Sequence, residues 1–311
     1  MPFGVGGNSR IRTNISSQNA YIAMEKANKS ISTKQLRLST GKRINNAADD
    51  VSGYITSRAL HARNGALKAA LKAVGDAQNS SYIIMDALEN VGDLVNIIKN
   101  NTASASSGAM GTSEKVALAK AAARMVTQIQ TVIDSTVFAG SQLVDGTFSA
   151  DFVIGTNATN NLITLALDMT TGNVDFNVES GDFNMNAEGV ESFAGITNLD
   201  MRAFNKVSAT DLGIFDSNSI HLTLVSLADA IENVNKVASY VGGVVNRLES
   251  QELLLNGQVV NYNSAISRIE DADVALEQLD LVKAQFLQNA SLTSLAQANQ
   301  NPSAFLQLLQ G

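Results

Sequence analysis

Cysteine and tryptophan are absent, and proline occurs only at Pro2 and Pro302. Without cysteine there is no disulfide framework, no thiolate nucleophile and no cysteine metal site. Between the two prolines nothing in the chain forces a helix to break. No apolar run is long enough to span a bilayer, so membrane insertion is not expected. The glycine-rich stretch from Met1 to Ser9 leads into Arg10 and Arg12 rather than into the apolar run of a cleavable secretory signal.

Histidine is nearly absent too. His61 and His221 are the only two, and neither sits in the His-Glu-x-x-His spacing of a helical zinc site. Gly4, Gly6 and Gly7 are not followed by a strand-to-helix phosphate loop, and Gly41-Lys42 lacks the upstream glycine of a Walker motif. The acidic group Glu270, Asp271, Asp273 and Glu277 lacks the alternating ligands and central glycine of a calcium loop, and reads as the charged flank of a coiled coil. No catalytic residue, cofactor or metal is expected.

Positive charge is scarce except at one end. The formal net charge is −7, but residues 1–43 carry eight Lys or Arg and only one acid, Glu25. That arm is +7 and the rest of the chain −14, which argues against general nucleic-acid binding. The basic residues of the arm alternate with apolar ones at helical spacing, as on a solvated helix face.

What the chain has in abundance is a heptad. Alternating steps of four and three from Leu227 give Ile231, Val234, Ala238, Val241, Val245, Leu248, Glu252, Leu255, Val259, Tyr262, Ile266 and Ile269, with only Glu252 breaking the seam. A stripe sustained over six heptads predicts a helix that keeps one face against a partner. At 1.5 Å per residue it runs about 65 Å, longer than the roughly 50 Å diameter of a globule of this size, so a rod is expected. After a break at Glu270 to Asp273 the pattern resumes through Ala275, Leu279, Val282 and Phe286, and Pro302 is a natural stop.

The N-terminal half supplies further helices. Met24, Ala27, Ile31 and Leu38 mark the first, with Lys34 interrupting its stripe. Alone, such a helix has nothing of its own to bury against, and its ordering is expected to wait until another chain supplies the surface. Leu67, Leu71, Val74, Ile84, Leu88, Val91, Val95 and Ile98 mark a long second helix. A Ser- and Gly-rich turn at Thr102 to Thr112 leads to a third, carried by Val116, Ala119, Ala123, Val126, Ile129 and Ile133. In the middle the period changes. Phe148 to Ile154 and Leu162 to Leu167 alternate on either side of Gly155-Thr156-Asn157, predicting a hairpin, and Thr170 to Lys206 reads as short strands and loops. The expected fold is mainly α: an elongated, discontinuous coiled-coil and helical bundle built from the N- and C-terminal segments, with a small β-hairpin-containing central region.

Ile11-Arg12-Thr13-Asn14, and then Leu36-Arg37-Leu38-Ser39-Thr40-Gly41-Lys42-Arg43-Ile44-Asn45-Asn46-Ala47-Ala48-Asp49-Asp50-Val51-Ser52-Gly53, resemble the N-terminal hallmark of bacterial flagellins. Asn246-Arg247-Leu248, Ser267-Arg268-Ile269-Glu270-Asp271-Ala272-Asp273, Ala284-Gln285-Phe286-Leu287-Gln288 and Leu295-Ala296-Gln297-Ala298-Asn299-Gln300 resemble the family's closing motifs in order. The resemblance implies a subunit of the flagellar filament, outside the cell, serving motility. Its termini pair into an inner coiled-coil tube on assembly, the adjoining helices form a surrounding tube, and the middle projects outward. On this reading residues 1–43 with 272–311 form the inner tube, 44–169 with 216–271 the outer tube, and 170–215 a surface insertion. Subunit packing is expected at Met24, Ile31, Leu38, Asp49, Asp50, Leu88, Val91, Val95, Arg247, Leu248, Arg268, Ile269, Phe286 and Leu295. Asp49 and Asp50 equally suit ordinary helix capping, and the basic first helix suits pairing with the acidic Glu270 to Asp280.

Further implied partners are other copies of the chain, the flagellar type III export apparatus, a flagellin chaperone and the filament cap. Two departures stand out. Residues Met1 to Arg10 precede the usual start, either as a segment in the filament lumen or as a misplaced start. And where the family's receptor-recognised helix reads Gln-Arg-Val-Arg-Glu-Leu-Ala, this chain has Gly92-Asp93-Leu94-Val95-Asn96-Ile97-Ile98. Asp93 thus replaces the key arginine, and weak recognition by the host Toll-like flagellin receptor is expected. A hook–filament junction protein of the same family and a cytoplasmic coiled-coil scaffold remain as alternatives, and Asn157-Ala158-Thr159 is a candidate glycosylation sequon.

Overall fold

The computed structural model describes residues 13–156, 162–178, 182–187, 192–197 and 199–310, with the backbone alone for 301–310. The segment Met1 to Arg10 and the sequon at Asn157 lie outside the described residues. Among the described residues there are six α-helices: α1 (Ile15–Thr40), α2 (Val51–Ala105), α3 (Thr112–Ser135), α4 (Ala203–Lys206), α5 (Ile220–Glu270) and α6 (Val274–Gln310). Strands β1 (Val137–Phe138) and β2 (Ser141–Gln142) form one antiparallel hairpin, and β3 (Ser149–Thr156) and β4 (Leu162–Asp168) another. The chain divides into two compact units, Met1–Asn64 with Val260–Gly311, and Gly65–Val259.

Within the first unit, α1 pairs with α6. Asn14 caps α1, its Oδ1 accepting from the Ser17 N–H at 3.0 Å, and Gly41 closes it in the left-handed region at φ 69°. Asp273 starts α6, its Oδ1 accepting from the N–H groups of Ala275 (3.0 Å) and Leu276 (3.1 Å). The break between α5 and α6 falls where the sequence placed it. The expected stop at Pro302 does not occur, since α6 runs on to Gln310. Proline's cost in a helix is partly the carbonyl four residues earlier, which loses its partner. Here that carbonyl, of Ala298, accepts from Asn14 Nδ2 at 2.7 Å. A second expectation also needs correcting: α1 does have a surface of its own to bury against, supplied by α6 of the same chain, with Ala20 and Ala27 buried.

In the second unit α2, α3 and α5 each bury one stripe. Every heptad position of α5 from Leu227 to Val259 is buried or half-buried. Glu252, the break in the seam, accepts from Gln78 Nε2 of α2 at 2.9 Å, so a polar pair occupies the layer. The β3–β4 hairpin forms as expected, with a bulge between Val153 and Gly155. The Ile154 carbonyl in that bulge accepts from Gln251 Nε2 of α5 at 2.8 Å, fastening hairpin to helix. The β1–β2 hairpin was not foreseen. Its two-residue turn, Ala139-Gly140, has positive φ at both positions (50° and 88°), the geometry that matches strand twist.

The expectation of short strands in Thr170 to Lys206 is not met among the described residues, where only an isolated bridge links Phe193 and Ile196. Phenylalanine holds this segment instead. Phe176, Phe183, Phe193, Phe204 and Phe215 are all buried. Phe176 meets Phe183 and Tyr240 edge-to-face at 5.5 and 5.2 Å, and Phe204 meets Phe215 at 5.9 Å. Two side chains then tie it to the helices: Asn233 Nδ2 donates to the Ala194 carbonyl (2.9 Å), and Gln130 Oε1 accepts from the Ala187 N–H (3.0 Å).

Candidate subunit interface

The link between α1 and α2 crosses the α5–α6 break as a short antiparallel clasp. The Arg43 N–H donates to the Glu270 carbonyl (2.6 Å) and the Ala272 N–H to the Gly41 carbonyl (2.9 Å). Glu270, at 7 % exposure, is the last residue of α5 and the charge at the centre of the clasp. Lys42 Nζ lies 2.9 Å from one carboxylate oxygen and His61 Nε2 3.1 Å from the other. Burial pushes this carboxyl up, but hydrogen bonds from Lys42, His61 and Ser57 outweigh it and hold the group at about 2.

The neighbouring acids act locally. Asp49 Oδ2 accepts from the N–H groups of Asn45 (3.0 Å) and Asn46 (2.9 Å), which hold its carboxyl below the usual range. Asp50 Oδ1 accepts from the Gly53 N–H at 2.9 Å, the geometry of an N-cap for α2. A Cβ on Gly53 would come within 2.6 Å of both Asp50 Oδ2 and Ile44 Cδ1, so a larger residue there displaces the capping carboxylate or the Ile44 side chain.

Along α1 and α6 the expected charge pairing is realised within the chain. Lys34 Nζ lies 2.8 Å from both Glu277 and Asp280, and Arg37 Nη1 3.1 Å from Glu277. Lys34, which interrupts the apolar stripe, is therefore one of the residues that tie α1 to α6. Its hydrogen bonds to Asp280 and Glu277 raise its pKa, and the same lysine lowers that of Asp280. Further along, Gln288 Nε2 donates to Asn28 Oδ1 at 2.6 Å and Ser17 Oγ to Asn299 Oδ1 at 2.8 Å.

Both helices also carry apolar side chains that are uncovered. Tyr21, Ile22 and Leu36 of α1 are exposed, as are Leu276, Leu279, Val282, Phe286, Leu287 and Leu292 of α6, with Phe286 at 73 %. Meanwhile Leu281, Ala284 and Ala298 of α6 are buried. A helix with apolar side chains beyond the stripe it buries gains stability when something covers them too. Burying these nine side chains stabilises by about 1 kcal/mol each, on the order of 10 kcal/mol together.

The residues expected at subunit contacts divide accordingly. Met24, Ile31, Leu38, Ile269 and Leu295 are half-buried, and Arg247, Arg268, Asp93 and Phe286 are exposed. Leu88, Val91, Val95 and Leu248 are at most 1 % exposed within their own unit. In the single chain these four side chains offer no exposed surface to another chain. Tyr21, Ile22, Leu36, Leu276 and Leu279, which were not among the expected contacts, are exposed apolar side chains of the same two helices; their signal is a second apolar stripe offset from the first. Among the described residues there is no group of three His, Asp or Glu placed to hold a metal ion, and no helix is long and apolar enough to cross a membrane.

Comparison with known proteins identifies the family. Residues 11–149 match the bacterial flagellin N-terminal helical region, and residues 224–309 the bacterial flagellin C-terminal helical region. The chain belongs to the bacterial flagellin family. Flagellin of Bacillus subtilis (strain 168) is 28 % identical over 314 residues, covering 97 % of this chain and all of that one. The flagellar filament 33 kDa core protein of Treponema phagedenis is 26 % identical over 304 residues, covering 96 % and 99 %. A flagellar hook-associated protein from Vibrio parahaemolyticus shares the fold at 15 % identity, with a TM-score of 0.53 over 72 % of this chain and all of that one. As a flagellin-family member matched over both helical ends, the chain is a structural subunit of the flagellar filament.

Proposed function

We propose that α1 and α6 pair within each subunit and that their outer apolar faces are covered by the same helices of neighbouring subunits, closing the inner tube of the filament. The observation that carries this is the exposed row Leu276, Leu279, Val282 and Phe286 on α6, a helix already buried on its opposite side. In this arrangement residues 1–43 with 272–311 line the inner tube, 44–169 with 216–271 build the tube around it, and 170–215 face outward. The subunit acts outside the cell, carries out no catalysis, and reaches the filament tip through the type III export apparatus with help from a flagellin chaperone and the filament cap. The test is seeded elongation viewed by negative-stain electron microscopy. A filament subunit extends fragments without limit, whereas a junction protein adds once and stops.

Asp93 is exposed on α2, on the opposite side from the buried Val91 and Val95. An acid where the receptor-recognised helix carries arginine predicts poor activation of the Toll-like flagellin receptor. Purified monomer triggering a receptor reporter at ordinary flagellin potency would sink that prediction.

A further inference from the structure

Within the Gly65–Val259 unit, α2 keeps its charges sorted by sign. Lys68 and Lys72 come first, the acids Asp76, Asp86, Glu89 and Asp93 follow, and no further cation occurs before Lys99. All six are exposed, and none is in an ion pair among the described residues. Opposite charges four residues apart support a helix, whereas Lys68 with Lys72, and Glu89 with Asp93, set like charges at that spacing. Lys72 and Asp76 are opposite in sign and four apart, yet they too form no ion pair among the described residues. The sorted order therefore does nothing for α2 itself.

The charges also share one face. The helix buries Val74, Ala77, Ser81, Ile84, Leu88 and Val91, in alternating steps of three and four. Lys72, Asn79 and Asp86 are seven residues apart on the side away from that stripe, and Lys68 and Glu89 share an adjoining heptad position. Lys72 and Asp86 are thus one heptad either side of the exposed Asn79, with Lys68 and Glu89 beyond them. A parallel copy in register would set like charge on like. Turned end for end about a two-fold axis at Asn79, the face meets its opposite at each level. We infer that two free subunits pair antiparallel along this face of α2, with Lys72 of each against Asp86 of the other, Lys68 against Glu89, and Asn79 at the axis. From Lys68 to Glu89 the contact spans about 32 Å of helix, and because it is made of exposed charges it is weak and dissolves in salt. In a helical polymer every subunit points the same way, so this pair belongs to the unassembled subunit and goes beyond the filament reading.

The test is sedimentation velocity of the full chain at low and high salt, with circular dichroism confirming that each variant is folded. Wild type exchanges between monomer and dimer at low salt and is monomeric at high salt, whereas association through the apolar side chains of α1 and α6 does not weaken with salt. Lys68→Glu with Lys72→Glu, or Asp86→Lys with Glu89→Lys, sets like charges together and weakens pairing about tenfold or more at low salt. The milder Lys72→Gln gives a smaller loss and serves if a double reversal does not fold. An equal mixture of the two reversed chains pairs again, and so does a chain carrying all four substitutions, since each charge then meets its opposite. Because the chain has no cysteine, an introduced one reads the orientation. Mild oxidation links Asn79→Cys to its own copy, while Asp93→Cys, about 42 Å from its copy in the antiparallel pair, does not link. A wild type that stays monomeric at low salt, reversals without effect, a mixture no better than its parents, or Asp93→Cys linking as readily as Asn79→Cys overturns the pair. So do reversals that stop seeded elongation without altering sedimentation, because the face then serves the filament instead.

Discussion

Glu270→Gln removes one charge and almost no volume from the clasp where α1, α2, α5 and α6 meet. The wild-type carboxyl is held at about 2 against an ordinary 4.5, a difference equivalent to at most about 3 kcal/mol of folded-state stability. Two of its partners are nearly half exposed, Lys42 at 47 % and His61 at 45 %, so solvent screening brings the contribution to about 2 kcal/mol. Because the folded-state value is depressed, this stability is fully present above about pH 4.5 and is lost as pH falls toward 2. Urea denaturation of sheared filaments, followed by circular dichroism at a series of pH values, reads it directly. At neutral pH the variant unfolds at lower urea by an amount corresponding to about 2 kcal/mol, and the gap between variant and wild type closes between pH 4.5 and 2. Equal stability at neutral pH, or a gap that persists unchanged at pH 2, would refute the reasoning.

Three further outcomes follow from the same structure. Asn14→Ala removes both the cap of α1 and the donor to the carbonyl left open by Pro302, so it costs about 2 kcal/mol and speeds amide exchange in both flanking turns, read by hydrogen-exchange mass spectrometry. Phe204→Ala empties a fully buried site beside Phe215 and lowers the stability of the Gly65–Val259 unit by about 3–4 kcal/mol, measurable by calorimetry on the monomer. Gly53→Ala forces a methyl against Asp50 and Ile44 and costs about 1–3 kcal/mol, seen as a lowered thermal midpoint of filaments.

Much of this fold was legible because it is periodic. The α5 heptad, the break after Glu270, the three N-terminal helices and the β3–β4 hairpin all rest on spacing that a single segment carries by itself. Pro302 misled because its cost is met by Asn14, some 284 residues away in sequence. The phenylalanine cluster of 176–215 has no period, since its residues meet by chain reversal rather than along one element. The stripe of α2 shows that Leu88, Val91 and Val95 are covered, but not whether the cover is their own chain or another. Lys34 read as a flaw in a stripe until Glu277 and Asp280 were seen beside it.

The most direct measurement is seeded elongation of the double variant Leu279→Asp with Phe286→Asp, scored by electron microscopy. Both side chains are exposed in the single subunit, so the Gly65–Val259 unit should melt as in wild type while charges on the outer face of α6 prevent closure of the inner tube. The account predicts a folded monomer that adds to no filament end. Wild-type-length filaments from this variant would contradict it.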